Sequence, residues 1–219
     1  RTFSFMFEHQ VEGIIYSKWV HGSITPPDEL GRMPSVLVNC YDECGRFPAV
    51  VPDEVQGGAT ATRLLLEAGH RRIAFVNDAA PSPASVGRLA GYKAALARFD
   101  VDFDPSLVLS VTADQEGGYG AAAQVLATGA TGVFCHNDRT ALGLYDALRE
   151  SGKRVPDDIS VVGFDNQEVI SAHMHPALTT VGLPQYDLGV MGVRTLLRRC
   201  GADNDESEIV SERFKPVRV

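Results

Sequence analysis

Residues 132–162 read GVFCHNDRTALGLYDALRESGKRVPDDISVV, and this stretch has the pattern of one strand-helix-strand unit. The runs at 132–135 and 159–162 are rich in apolar, β-branched residues without strict alternation, which is typical of parallel strands covered on both faces. Between them, apolar residues recur at helical spacing. Asp138 can cap the start of that helix, and Gly152 can end it. The stretch therefore predicts two parallel strands joined by a crossover helix.

The same alternation of short apolar runs and helical patterns extends through most of the chain. Further runs lie at 13–16, 36–38, 73–76 and 107–109. Apolar side chains at helical spacing follow several of these runs. Strands that alternate with helices predict a doubly wound α/β fold, with parallel sheets and helices on both faces.

The composition excludes several classes of protein. Of the 219 residues, 44% are hydrophobic and 22% are charged, and the formal net charge is −8. No apolar run approaches the roughly 20 residues of a membrane span, so we predict no membrane partner. Nucleic-acid binding relies on Lys and Arg side chains that neutralise phosphates. An acidic chain without a basic stripe is therefore a poor candidate for contacting DNA itself.

The sequence predicts neither a metal site nor a cofactor. Its cysteines are Cys40, Cys44, Cys135 and Cys200. They are too few and too scattered for a disulfide framework, and we interpret them as reduced thiols of a cytoplasmic protein. Cys40 with Cys44 could begin a zinc site that His173 and His175 finish, but the paired C-x-x-C spacing is lacking. Because no nucleotide-binding glycine motif and no G-x-S-x-G nucleophile occurs, we predict that the chain is not an enzyme.

Polar residues follow five of the predicted strands. Ligands of open parallel sheets bind outside the carboxyl ends of the strands. Five polar clusters at one edge of a sheet therefore predict a polar pocket. The clusters are Tyr16-Ser17, Asn39, Asn77-Asp78, His136-Asn137-Asp138 and Asp165-Asn166.

Five segments resemble the segments of one family, in the same order along the chain. They are GHRRIA at 69–74, RLAGY at 88–92, NDRTALG at 137–143, VPDDISVVGFD at 155–165 and PALTTV at 176–181. The chain therefore resembles the effector-binding domain of LacI/GalR-type transcriptional regulators. The resemblance implies the two-lobed type I periplasmic-binding-protein-like fold, with three crossover strands and a ligand cleft. It also implies a homodimer whose N-terminal helix-turn-helix head reads operator DNA.

The resemblance also implies a division of the chain into lobes. The N-terminal lobe would comprise residues 1–53 and 182–203, and the C-terminal lobe would comprise residues 54–181 and 204–219. Residues 1–11 are similar to the end of the family's second helix, so we expect an N-terminal lobe that lacks its first strands. We also expect the helix-turn-helix head to be absent from this chain and operator DNA to be contacted only through that head. The crossovers expected to act as hinges lie near Asp53, Val181 and Ala202.

Three residues are the main effector-binding candidates that the resemblance implies. Arg88 lies where the family places an arginine in the cleft, and its planar fork suits two oxygens of a sugar or a carboxylate. Asp165 can accept protons from vicinal hydroxyls, and Asn137 can both donate and accept. The structural alternatives are a solvated helix arginine, a helix cap and a turn residue, respectively.

Four further residues align with positions of the family that line the cleft. Tyr16 and Gln185 lie where an aromatic side chain often stacks on the ligand, and only Tyr16 retains that ability. Asn39 occupies a position that is commonly aspartate. Ser82 lies in the loop ahead of Arg88, and its alignment could shift by one residue.

We therefore predict a sensor that binds a small polar effector and allosterically controls operator binding in the cytoplasm. A sugar is favoured over nucleobases and phosphosugars. One alternative is an extracytoplasmic solute-binding protein of a transporter, which a signal peptide in place of a helix-turn-helix would reveal. Another is an α/β enzyme, which sustained turnover of a sugar or nucleoside would establish.

Overall fold

The computed structural model describes residues 2–201, 212–214 and 217–218, and the chain divides into two compact units. The first unit comprises the described residues of Arg1–Pro52 and Pro184–Phe214, and the second those of Asp53–Leu183 and Lys215–Val219. Each unit is built on one largely parallel sheet with helices packed on it, which confirms the predicted α/β class. The expected hinge at Ala202 lies outside the described residues.

The first unit contains a four-stranded sheet in which every strand is parallel to its neighbours. In spatial order, its strands are β1 (Ile14–Ile24), β2 (Ser35–Asp42), β3 (Ala49–Pro52) and β9 (Glu212–Phe214). The unit also contains the helices α1 (Thr2–Glu8) and α7 (Gln185–Arg199) and a 3-10 turn at Asp28–Arg32. Buried valines of β2 and β3 pack against Leu188 of α7.

The first strand is longer and less regular than the predicted run at 13–16. Its pairing with β2 shifts between Ser17 and Gly22, where additional residues bulge out of the ladder. The bulge leaves Trp19 91% exposed. Asn39 of β2 holds it in place, because its Nδ2 donates to the carbonyl oxygens of Lys18 at 3.0 Å and of Trp19 at 3.2 Å.

The second unit contains a six-stranded sheet in the spatial order β10 (Val217–Arg218), β8 (Thr179–Gly182), β7 (Ser160–Asp165), β6 (Gly132–Cys135), β4 (Ile73–Asp78) and β5 (Val108–Val111). All of these strands run parallel except β10, which is antiparallel to β8. A 3-10 turn at Pro105–Leu107 precedes β5. The helices are α2 (Glu54–Glu67), α3 (Pro83–Arg98), α4 (Gln115–Ala127), α5 (Asp138–Glu150) and α6 (Glu168–Ser171).

The central strand β4 shows why the predicted runs lack alternation. Ile73 and Phe75 pack into the core beneath α2 and α3, whereas Ala74 and Val76 pack into the core beneath α4 and α5. All four side chains are fully buried. The ring of Phe75 also stacks on that of Phe134, with 4.4 Å between the centroids. Because both faces of the sheet are covered by helices, neither face of the strand can be polar.

The end of the chain is divided between the two sheets, which corrects the predicted assignment of all of 204–219 to the C-terminal lobe. Glu212–Phe214 extends the first sheet beside β3, and Val217–Arg218 pairs with β8 in the second. Pairing with β9 satisfies hydrogen-bonding groups of the backbone along the edge of β3. This pairing cannot be predicted from the spacing of apolar residues within the tail.

The helix α5 begins one residue earlier than predicted. Asn137, not Asp138, is its cap, and the Asn137 side chain accepts a hydrogen bond from the backbone N–H of Thr140. Gly152 follows the helix with φ of +71°, as expected of a residue that ends a helix in the left-handed region. None of the helices in the described part of the chain is both long and apolar enough to cross a membrane.

Candidate functional site

Ser82 caps α3, the helix that carries Arg88. The Ser82 hydroxyl accepts a hydrogen bond from the backbone N–H of Ser85 at 3.0 Å, and the Ser85 hydroxyl accepts one from the N–H of Ser82 at 2.9 Å. This reciprocal capping box orders the first turn of α3. The cap gives Ser82 a structural role, and its contact with an effector stays a prediction.

Arg88 is buried, with 4% of its side chain exposed, and it meets acceptors from three other segments. Its Nε donates to Oε2 of Glu54 at 2.9 Å, and its Nη1 donates to the carbonyl oxygen of His136. Its Nη2 lies 3.7 Å from Oδ1 of Asp165, which is an ion-pair distance but too long for a hydrogen bond. The guanidinium carbon lies 3.6 Å from the centre of the Phe164 ring.

These contacts fix the plane of the guanidinium and leave part of its hydrogen-bonding capacity unused. A guanidinium carries more N–H donors than the two hydrogen bonds to Glu54 and His136 occupy. Stacking on Phe164 and pairing with Glu54 are both strengthened by burial, because little water screens them. The N–H groups on the Asp165 side therefore offer donors next to a carboxylate acceptor.

Asp165 ends β7 in a backbone conformation that residues with a side chain seldom adopt. Its φ is +100°, and Asn166 follows with φ of +53°. Such conformations cost on the order of 1–3 kcal/mol and cluster at binding sites. Gln167 Nε2 donates to Asp165 Oδ2 at 3.2 Å. Burial raises the pKa of the Asp165 carboxyl, and the positive charge of Arg88 opposes that rise.

Asp138, the first residue of α5, ties that helix to the segment after β7. Thr180 Oγ1 donates to Asp138 Oδ1 at 2.6 Å, and the backbone N–H of Gln167 donates to Oδ2 at 2.7 Å. Burial raises the pKa of Asp138 to about 6. A Cβ atom on Gly163 would lie 2.4 Å from Asp138 Oδ1, so this approach requires glycine in β7. Asp138 thus positions the turn in which Asp165 lies.

His136, which follows β6, is buried and held in one tautomer. Its Nδ1 lies 3.0 Å from Oδ1 of Asn77, and Nδ2 of Asn77 donates to the carbonyl oxygen of Ser85 at 3.1 Å. Because that second bond orients the amide, its oxygen faces the ring, and the proton is assigned to Nδ1. Burial and the charge of Arg88 lower the pKa of His136 to about 3. The imidazole is therefore neutral at neutral pH.

Asn137 uses most of its amide within the protein. Its Oδ1 accepts from the N–H and the hydroxyl of Thr140 at 2.8 and 2.9 Å, and its Nδ2 donates to the carbonyl oxygen of Ala113 at 2.9 Å. These bonds cap α5 and join it to the segment before α4. One Nδ2 hydrogen is left for a ligand, so effector binding by Asn137 stays a prediction.

The remaining sequence-predicted residues lie in the first unit. Tyr16 is half-buried in β1, where it packs on a core cluster that contains Leu37. Asn39, with φ of +55°, bonds the β1 bulge. Gln185 is the exposed first residue of α7. Their contact with an effector stays a prediction, whereas Arg88 and Asp165 are brought together in the second unit.

Sequence reasoning did not identify Glu54 as part of the site. It placed His136 in one of the polar clusters that predict the pocket, but not among the effector-binding candidates. Glu54 directly follows the helix cap Asp53, and its acidic character is ordinary for the first turn of a helix. Its partner Arg88 is 34 residues away, and nothing local reports that contact.

No metal-binding cluster of three or more His, Cys, Asp or Glu side chains occurs among the residues that the structure describes. The cysteines are unpaired, with Cys40 and Cys135 buried and Cys44 exposed.

The chain is similar in sequence to bacterial transcriptional repressors. Residues 62–218 match the periplasmic binding protein-like domain family. The chain is 34% identical over 192 residues to the HTH-type transcriptional repressor PurR of Vibrio atlanticus, covering 87% of this chain and 57% of that protein. It is 33% identical over 175 residues to the ribose operon repressor of Haemophilus influenzae, covering 79% and 52%. The chain thus spans little more than half the length of these curated relatives.

Solved structures show the same likeness. A LacI family transcriptional regulator from Enterococcus faecium with bound ribose is 30% identical with a TM-score of 0.79, covering 99% of this chain and 81% of that one. A putative LacI family regulator from Rhizobium etli is 27% identical with a TM-score of 0.86, covering 100% and 80%. The regulator CelR in complex with cellobiose is 28% identical with a TM-score of 0.77, covering 100% and 68%.

Proposed function

This chain belongs to the LacI family of transcriptional regulators, as a periplasmic binding protein-like domain, and from that premise we propose that it binds a small polar effector, with a sugar favoured. The observation that carries the proposal is the pairing of unused Arg88 donors with the Asp165 carboxylate, 3.7 Å apart. A sugar hydroxyl both donates and accepts. One hydroxyl of a vicinal pair can therefore donate to Asp165 while the other accepts from Arg88.

The ligands of similar structures support a sugar. The Enterococcus faecium regulator holds ribose and CelR holds cellobiose. Both are neutral molecules rich in vicinal hydroxyls, which is the pattern that a donor beside a carboxylate recognises. We therefore propose neutral, hydroxyl-rich sugars as the class of effector.

We propose that effector binding changes the affinity of the whole protein for operator DNA, through a DNA-binding head and in the cytoplasm. Such coupling requires the effector to bind two states of the protein with different affinities. The relatives matched are transcriptional repressors rather than enzymes, and they favour regulation over transport or catalysis. The expected coupling is about 5- to 150-fold in operator affinity. Titration of operator DNA with and without the sugar measures it, and an unchanged affinity contradicts this step.

The binding step is tested by a thermal-shift and calorimetric screen of the protein against neutral sugars. A sugar at one hundred times its dissociation constant adds about 2.7 kcal/mol to the free energy of unfolding, which gives a visible shift in melting temperature. We expect Asp165→Asn to lower the affinity for that sugar by about tenfold or more, because the amide no longer offers two acceptor oxygens. Asp157→Asn, on an exposed carboxylate, is the matched control. If no sugar stabilises the protein, or if Asp165→Asn binds as tightly as the native protein, the site is wrongly assigned.

We also propose that the protein is a homodimer, and one surface of the second unit supports this. A cavity of about 420 Å³ lies among residues of α5, α6 and the segments that follow them, including Tyr145, Val155 and Met174. Val169, at its margin, is 81% exposed. Charges of both signs flank the apolar floor, for example Arg149 paired with Asp146 at 2.9 Å. A surface of mixed sign around an apolar centre suits a twofold interface, in which the same patch meets itself.

A further inference from the structure

Arg88 is the only lysine or arginine that is buried among the residues the structure describes. A buried guanidinium with free edges is a strong receptor for phosphate or carboxylate groups, because its fork matches two anionic oxygens. An arginine in a binding site therefore predicts an anionic ligand unless its charge is already matched. The surroundings of Arg88 decide between these two cases.

The protein itself supplies acceptors to Arg88. The carboxylate of Glu54, which is 5% exposed, accepts a hydrogen bond from Arg88 Nε at 2.9 Å. The carbonyl oxygen of His136 accepts a hydrogen bond from Arg88 Nη1. The carboxylate of Asp165 stands 3.7 Å from Nη2, on the side that is left for a ligand. An anion at this side would approach a carboxylate as well as the arginine.

The charges of this cluster do not sum to a positive value. Arg88 contributes one positive charge and Glu54 one negative charge, so these two cancel. His136 adds none, since burial and Arg88 lower its pKa to about 3. Asp165 adds either none or one negative charge, depending on its protonation, because burial raises its pKa. Asp138, buried behind the same turn, carries a further carboxyl.

We propose that Glu54 is a specificity-determining residue: by neutralising Arg88 it makes the site accept neutral, hydroxyl-rich effectors and reject phosphate esters and carboxylates. The proposal rests on the proposed function, because it specifies the class of effector for the same site. We expect the site to reject anions because an anion loses its hydration on entering it, and no net positive charge in the site offsets that cost. A neutral polyol still donates to Asp165 and accepts from the remaining Arg88 donors.

A merely structural role for Glu54 is the competing explanation, and Glu54→Gln separates the two. The glutamine has nearly the same shape, and its Oε1 can still accept from Arg88 Nε, so the guanidinium keeps its orientation. The substitution removes only the negative charge of Glu54, so the net charge of the cluster around Arg88 rises by one unit. A structural role predicts unchanged ligand selectivity, whereas a role in specificity predicts a gain in affinity for anions.

The experiment measures binding by calorimetry for the native protein, Glu54→Gln and the control Glu67→Gln. Glu67 lies on the same helix α2, with half of its side chain exposed and Nε of Arg63 at 3.9 Å. The probes are neutral sugars, the phosphate ester of each sugar, and inorganic phosphate. We expect the native protein to prefer the neutral sugar over its ester. We expect Glu54→Gln to raise the affinity for ester or phosphate by about tenfold or more, and Glu67→Gln to change neither.

Each outcome separates this inference from the proposed function. If the native protein binds an ester as tightly as its neutral sugar, or Glu54→Gln gains no affinity for anions, the inference is wrong while sugar binding stands. If no neutral sugar binds but Glu54→Gln gains affinity for inorganic phosphate, the inference holds and the sugar proposal fails. Should Glu54→Gln not melt cooperatively, the native protein still tests the inference: a phosphate ester that binds as tightly as its neutral sugar overturns it.

Discussion

At the scale of single residues, the Arg88–Glu54 ion pair governs both the stability and the chemistry of the site. Both side chains are buried, so removal of either one deprives the other of this ion pair where little water can replace it. We expect Arg88→Met to lower the free energy of unfolding by about 3–5 kcal/mol. The double variant Arg88→Met with Glu54→Gln should recover part of this loss, because the negative charge of the buried Glu54 side chain is then removed as well. Urea denaturation at neutral pH measures both.

An exposed ion pair of the same unit is the matched control for this prediction. Arg149 is paired with Asp146 at 2.9 Å, but 77% of its side chain is exposed. Water screens such a pair, so Arg149→Met should change the stability by no more than about 1 kcal/mol. Equal losses for the two arginine variants would show that burial does not set the cost at Arg88.

His136 gives the site a defined dependence on acid. The pKa of His136 in the folded protein is lowered to about 3 from the ordinary 6.5. Between these two pH values, His136 is protonated in the unfolded chain but not in the folded protein. Its contribution to stability is therefore complete above pH 6.5 and lost as the pH falls. As the pH falls below 6.5, the free energy of unfolding of the native protein should decrease relative to that of His136→Gln, by up to about 1.4 kcal/mol per pH unit. Denaturation curves of both proteins at pH 7, 6 and 5 test this slope, and a constant difference would contradict it.

At the scale of elements, the contact of α2 with α3 sets where Arg88 lies. A Cβ atom on Gly91 would lie 2.1 Å from the carbonyl oxygen of Val55, and one on Gly58 would lie 2.3 Å from that of Arg88. The two helices therefore touch through glycines at their backbones. We expect Gly91→Ala to separate them and to cost about 1–3 kcal/mol of stability, as overpacking does.

A second helical glycine separates crowding from helix propensity. Gly120 of α4 is exposed, and a Cβ atom on it would meet no other atom within 4 Å, so alanine fits there without obstruction. Gly120→Ala should stabilise the protein by about 0.4–1 kcal/mol, because alanine loses less backbone entropy in a helix. Thermal melts of the two variants should therefore shift in opposite directions. A shift in the same direction would mean that close packing of α2 on α3 is not what requires Gly91.

The two ends of α5 differ in how well the local sequence predicts them. Gly152 was predicted to end α5, and the left-handed conformation that it adopts depends only on neighbours within one turn. The start of α5 was wrong by one residue because Asp138 and Asn137 are both suitable caps. The hydroxyl of Thr180, which is 42 residues away, donates a hydrogen bond to the carboxylate of Asp138. Asp138 is therefore engaged elsewhere, and Asn137 caps the helix.

At the scale of the whole molecule, the homodimer proposal predicts that one exposed apolar residue controls assembly. Val169 of α6 should lie within the interface, so Val169→Glu should bury a charge there and shift the protein to monomers. Val86 of α3 is 63% exposed, and Val86→Glu is the matched control that should leave the dimer intact. Light scattering after size-exclusion chromatography gives the mass of each. A native protein of monomer mass, or a dimer that tolerates Val169→Glu, contradicts the proposed surface.

Local patterns in the chain were enough to predict the α/β class, the parallel strands buried on both faces and the polar residues at the strand ends. Each of these depends on side-chain periodicity or on capping within a few residues, and that information lies in short stretches. The resemblance of five segments added the family. It also identified Arg88 and Asp165 as candidate site residues, which the second unit brings within 3.7 Å of each other.

The partners of those residues depended on how distant elements pack. Glu54 reaches Arg88 because glycines let α2 and α3 approach closely, and His136 is neutral because helices and strands bury it beside that arginine. The division of the tail between two sheets likewise depends on strands far away in the sequence. Ion pairs, burial and strand pairing are properties of surfaces that meet only in the folded protein. For that reason the preference for a sugar was already a prediction from the sequence, whereas the charge balance around Arg88 came from the tertiary structure alone.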